Sequence, residues 1–120
     1  MDQAHTNGNL KITGDGEQYR DFVFVKDVAR AIRMAMLLPT PNFDVFNVCT
    51  QVKTTVNTLA NEIVKVFSSK AEISHIDPRP GDVKESLCSA EKTTRLLKFT
   101  AEYTLERGLE QTRDWFIDTQ

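Results

Sequence analysis

The sequence predicts an α/β domain with a small partial sheet and about four helices. Three observations carry that reading. Short β-type runs such as "LKIT", "VFNVC" and "EISHI" alternate with segments of helical apolar spacing, the pattern of strand–helix units. "FVFV" is apolar without alternation, as a strand covered on both faces would be. A chain of 120 residues, 40% hydrophobic and 27% charged, suits one core that buries roughly two thirds of its unfolded surface.

Residues 1–9 are polar and are expected to form a flexible N-terminal arm, leaving residues 10–120 as a single domain. "LKIT", "GDG" and "YRDFVFV" read as strand, turn and strand, because Asp15-Gly16 supplies the positive φ of a tight hairpin. Asp27 suits the cap of a helix running to about Leu38, with Val28, Ala31, Ile32, Ala35 and Met36 at helical spacing, and "PTP" (39–41) stops it. "VFNVC" is the next strand. Thr54 or Thr55 opens a second helix with Val56, Leu59, Ile63 and Phe67 on one face. "EISHI" is a further strand. Ser89 is placed to cap a third helix carrying Leu96 and Leu97. Thr104 caps a fourth, in which Leu105, Leu109 and Phe116 face inward and Trp115 lies at the edge of the stripe.

Several function classes drop out on composition. With 15 basic against 17 acidic residues and no basic run, the footprint of a nucleic-acid binder is missing. No apolar stretch approaches the roughly 20 residues of a membrane span, and "MDQAHTNGNL" lacks a secretory signal pattern, so the cytoplasm is the expected location. Cys49 and Cys88 form no CxxC and indicate neither a disulfide framework nor zinc, and His5 and His75 read as structural or surface residues. The five glycines make no GxGxxG or Walker loop. Neither Tyr19 nor Tyr103 has a lysine four residues on, the spacing that serves proton transfer.

Two arginines remain, each positioned by turn chemistry. Arg20 sits at the mouth of the "FVFV" run, where it can project over a sheet end. In "DPRPGD", Pro80-Gly81 suits the centre of a type II turn, with Arg79 and Asp82 at its ends. An arginine held in that way can grip a phosphate bidentately. Spacing alone favours the plainer alternative, an exposed Arg–Asp pair.

The blocks "GDGEQYRDFVFVKDVARAI", "VFNVCTQVKTTVNTLANEIVKVF", "RPGDVKES" and "LLKFTAEYTLERGLEQTRDWF" resemble, in the same order, the C-terminal substrate domain of the NAD-dependent epimerase/dehydratase family typified by UDP-glucose 4-epimerase. The resemblance runs from Leu10 to Phe116. It implies that Arg20 and Arg79 hold the diphosphate of a nucleotide sugar and that Asp82 sits near the ribose or the arginine clamp. It also implies that NAD belongs to the family's Rossmann domain, whose glycine loop and tyrosine–lysine pair are not seen here. The expected role is therefore binding, with no cofactor held by this chain alone and chemistry dependent on a Rossmann-domain partner chain. The alternative is an oligomerising interaction module that has lost the ligand; homo-oligomerisation is expected in either case. Cys49, Gln51 and Lys98 stand where the family usually has glycine, and Ser89 where it has aspartate. If those backbones need positive φ, each substitution costs roughly 1 kcal/mol or more.

Overall fold

The computed structural model describes residues 1–39 and 44–119. Along the chain run α1 (Asp2–His5), β1 (Asn9–Thr13), β2 (Tyr19–Arg20), α2 (Val25–Met36), β3 (Thr54–Thr55), α3 (Val56–Val66), β4 (Glu72–Ile76), α4 (Glu91–Leu97) and α5 (Leu105–Asp118). The α/β class and the four long-predicted helices are present; the strand pairing differs from the sequence reading.

The expected hairpin does not form. β1 pairs in parallel with β4, Leu10 opposite Ile73 and Ile12 opposite His75, while β2 pairs antiparallel with β3. Gly14 and Gly16 do take positive φ, +75° and +73°. The N-terminus of α3 captures that turn: Asn57 donates from its backbone to Gly16 O and from Nδ2 to Asp15 O. Held there, the chain is delivered to β3 instead of back along β1. Residues 22–24 and 45–49, expected as strands, form no ladder either. A strand in the middle of a buried sheet needs a neighbour on each edge, and among the described residues each sheet has two strands. Phe22, Val23 and Phe24 instead line a small cleft together with Leu105 and Leu109 of α5.

The first residues include the short helix α1. Ala4 is buried, and the His5 ring stands edge-on to Phe67 and Phe116, with centroids 6.1 and 5.9 Å away, tying α1 to the ends of α3 and α5. Thr55 caps α3 by accepting from Thr58 N–H, and Thr104 caps α5 by accepting from Arg107 N–H, both as read from sequence. At α4 the cap position is Ala90; the Ser89 hydroxyl still accepts from Glu91 N–H at 3.3 Å. Asp27 is not a cap. It lies inside the first turn of α2, fully buried, where its carboxylate accepts from Glu102 N–H, Tyr103 N–H and Arg30. The stop "PTP" falls partly outside the described residues. α2 has already ended at Leu37.

The main apolar cluster is Ala31, Leu97 and Phe99, with Met34, Ala35, Leu38, Phe46 and Val48 packed on it. The predicted stripe of α2 is wider than the face this cluster covers: Ile32 and Met36 remain 56% and 79% exposed, in line with Val25 at 68%. The molecule is a slab of 50 × 36 × 18 Å with a radius of gyration of 16.9 Å, against about 13.6 Å for a compact domain of this length. Its surface of 8288 Å² exceeds by about 1,700 Å² what a monomer of this mass exposes, so only about 58% of the unfolded surface is buried instead of the two thirds expected.

Lys98 ends α4 with φ +56°, and Gln51 has φ +62°, so two of the three positions singled out against glycine do adopt the left-handed conformation; Cys49 does not. Lys98→Gly is therefore expected to raise stability by about 1 kcal/mol, read as a higher urea midpoint at unchanged slope. Gln51 is partly compensated, because its Oε1 accepts from Ala90 N–H at 3.3 Å.

Candidate functional site

The turn predicted at residues 79–82 is present. Asp82 N–H donates to Arg79 O at 3.3 Å, and Gly81 at φ +86° occupies the position that a type II turn reserves for positive φ. No neighbour lies where a Cβ on Gly81 would point, so glycine is there for the dihedral alone. Arg79 and Asp82 do not form the exposed ion pair that spacing favoured: among the described residues the Arg79 guanidinium has neither a hydrogen bond nor a carboxylate partner.

Both residues line a hollow of about 860 Å³ between that turn, the Gly14–Gly16 turn and β2. Tyr19 forms part of its wall. Its backbone N–H donates to Lys84 O and its carbonyl accepts from Ser86 N–H, so the segment after the type II turn is laced to β2. The Lys53 ammonium sits 3.9 Å from the Tyr19 ring centroid, a cation–π contact. The Glu85 carboxylate beside the phenol favours its protonated form and holds the Tyr19 pKa above its ordinary value. His75 Nε2 lies 2.9 Å from Asn57 Oδ1 at the floor.

Arg20 is placed differently. Successive strand residues face opposite ways, and with Tyr19 on the hollow Arg20 is not among the lining residues. Its Nη1 donates to Tyr19 O at 2.8 Å. The structure thus brings Arg79 and Asp82 together and sets Arg20 one residue behind the wall. Next to it, the Asp21 carboxylate organises the 50–51 loop by accepting from Thr50 N–H, Thr50 O–H and Gln51 N–H at 2.6–2.8 Å.

The charges of the hollow are mixed. Asp15, Glu17, Asp77, Asp82 and Glu85 outnumber Lys53, Arg79 and Lys84. Such a lining repels a bare polyanion but suits a ligand with many hydroxyls and one phosphate-bearing end, since carboxylates accept from hydroxyls while the uncommitted guanidinium takes the phosphate. Sequence reasoning missed Tyr19, Lys53 and Glu85, which two long-range pairings bring together, β2 with β3 and residue 19 with residues 84–86.

Dinucleotide binding needs a glycine turn leading from a strand directly onto a helix N-terminus. Here the Gly14–Gly16 turn leads to β2.

The family model described as GDP-mannose 4,6 dehydratase matches residues 2–112. The UDP-glucuronate 4-epimerase of Thermodesulfobacterium geofontis is 29% identical over 107 residues, 88% of this chain but 32% of that protein. The crystal structure of UDP-glucose 4-epimerase with UDP-glucose from Thermotoga maritima is similar with a TM-score of 0.89 at 34% identity, over 98% of this chain and 37% of that one. MoeE5, solved in complex with UDP-glucuronic acid and NAD, is similar at a TM-score of 0.85 and 27% identity, over 93% of this chain and 38% of that one. The chain spans about a third of the length of the relatives it matches.

Proposed function

The chain belongs to the GDP-mannose 4,6 dehydratase family of sugar-nucleotide epimerases and dehydratases, and from that premise we propose that it supplies the part that binds the nucleotide-diphosphate sugar. The observation that carries the reading is Arg79: a type II turn immobilises its backbone, and its guanidinium is uncommitted at the rim of a hollow rich in hydroxyl acceptors. The backbone of the turn is then already set, which lowers part of the entropic cost of gripping a diphosphate. Asp82, at the other end of the same turn, accepts from a ribose or sugar hydroxyl. Arg20, which faces away from the hollow and donates to the Tyr19 carbonyl, would have to release that bond and swing its side chain round to reach the same diphosphate.

Binding is the role of these residues; hydride and proton transfer would require the nucleotide-binding half of such an enzyme, where NAD would supply the redox chemistry. The excess surface of about 1,700 Å², roughly twice the share one partner gives to a standard interface, supports a large cover of that kind. The exposed stripe Val25, Ile32 and Met36 also supports a second reading, self-association of this chain. Sedimentation of the isolated chain tests the second: a concentration-independent monomer removes it.

The test of the first reading is a titration with UDP-hexose followed by amide NMR. Shifts are expected at Tyr19 and residues 79–86, and Arg79→Ala should weaken binding by about 10- to 100-fold, the loss of one charge-assisted phosphate contact. An unshifted spectrum at millimolar ligand would sink it. No helix among the described residues is long and apolar enough to cross a membrane.

A further inference from the structure

Contrary to the reading from spacing, Cys49 and Cys88 meet sulfur to sulfur across 39 residues of sequence, with their Cα atoms 6.5 Å apart, inside the range a disulfide bridges. Cys49 is buried at 4% exposure on the loop that Asp21 organises, whereas Cys88 is half-buried at the end of the segment carrying Arg79 and Asp82. Residues 77–87 are exposed throughout. Apart from the lacing at Tyr19, that segment is held at its far end by weak ties, Asn47 Nδ2 to Ser89 O at 3.2 Å and Ala90 N–H to Gln51 Oε1 at 3.3 Å. A covalent link at Cys88 is the strongest available anchor.

We propose that Cys49 and Cys88 are a reversible dithiol–disulfide site that clamps the Arg79–Asp82 segment to the 49–51 loop when oxidised and frees its C-terminal end when reduced. The oxidant is a small-molecule disulfide. The Cys88 thiolate, the more accessible of the two, attacks one of its sulfurs and expels a thiol. Cys49 then attacks the Cys88 sulfur of the mixed disulfide and expels the second thiol. The protein loses two electrons, and its two thiol protons end on the two released thiols. The Asp21 carboxylate lies with both sulfurs inside 4.8 Å, a trio that a zinc ion could join. That carboxylate is already engaged by three donors from Thr50 and Gln51, which favours the sulfur–sulfur bond.

The test is to equilibrate the protein in mixtures of reduced and oxidised glutathione, alkylate free thiols, and map the peptides by mass spectrometry. An intramolecular 49–88 link that dithiothreitol reverses is expected, with amide exchange of residues 82–90 at least about tenfold slower in the oxidised protein and a melting midpoint on the order of 10 °C higher. Cys88→Ser should exchange rapidly in both conditions. Thiols that alkylate at every ratio, links found only between molecules, or full protection of reduced thiols by one equivalent of zinc would each overturn the proposal, and equal exchange in both states would overturn the clamp. The effect on UDP-hexose affinity rests on the function proposed above. A reversible link with slowed exchange but no ligand binding in either state would refute that function and leave the clamp standing.

Discussion

Phe99→Ala is expected to lower the unfolding free energy by about 4 kcal/mol, measured by urea denaturation. Phe99 has no exposed surface and is the largest member of the cluster with Ala31 and Leu97. Both neighbours are held by helices, Ala31 in the middle of α2 and Leu97 at the last turn of α4, so the walls cannot collapse into the space a ring leaves. The ring also carries the Arg30 guanidinium, centred 4.4 Å away, and its removal uncovers that cation's apolar side. In a slab that buries so little, no second cluster of comparable depth among the described residues compensates. Phe99→Leu should cost less than half as much, because most of the volume is restored. Equal losses for the two variants would show that the ring face, not its volume, matters.

How far the sequence reading reached depended on whether a feature is local. The caps at Thr55 and Thr104 and the Pro80-Gly81 turn were legible because each is fixed by a few consecutive residues, whereas the left-handed backbones at Gln51 and Lys98 followed only from the resemblance, which also pointed to Cys49, where the backbone is ordinary. Strand partners were not. "GDG" signals a turn but not where the chain goes afterwards, and Asn57, more than 40 residues on, decides that. "FVFV" and "VFNVC" have strand composition, yet a ladder requires neighbours, and the described residues supply none. Composition therefore describes the environment these runs suit, while the observed backbone describes the partners present. The same contrast applies at the site: Arg79 and Asp82 were legible as a turn, the Tyr19–Lys53–Glu85 wall was not, and Cys49 and Cys88 looked unrelated because spacing carries no information about a contact across 39 residues.

Asp27 was legible as a residue that organises a helix N-terminus but not as the link between two helices. Its buried carboxylate in α2 accepts from Glu102 and Tyr103 N–H at 3.0 Å, and Arg30, paired with it at 2.8 Å, also reaches Glu102 at 3.2 Å and Thr100 O. The start of α5 is thereby fixed against α2. Asp27→Ala leaves two amide donors and a guanidinium without their acceptor and is expected to cost about 3 kcal/mol. Burial alone would raise the Asp27 pKa. The Arg30 hydrogen bond and the two backbone donors outweigh it and hold the value below that of an ordinary aspartate. The unfolded chain therefore takes up this proton first, near pH 4. The carboxylate's contribution is complete above that pH, declines as the pH falls through it, and is gone below the folded-state pKa. Asp27→Asn keeps the shape and one acceptor but cannot titrate. Its deficit against the native chain should accordingly be largest at neutral pH and shrink between about pH 5 and pH 3. A deficit that stays constant across that window would mean that the carboxylate's charge contributes nothing and that Asp27 acts by shape alone.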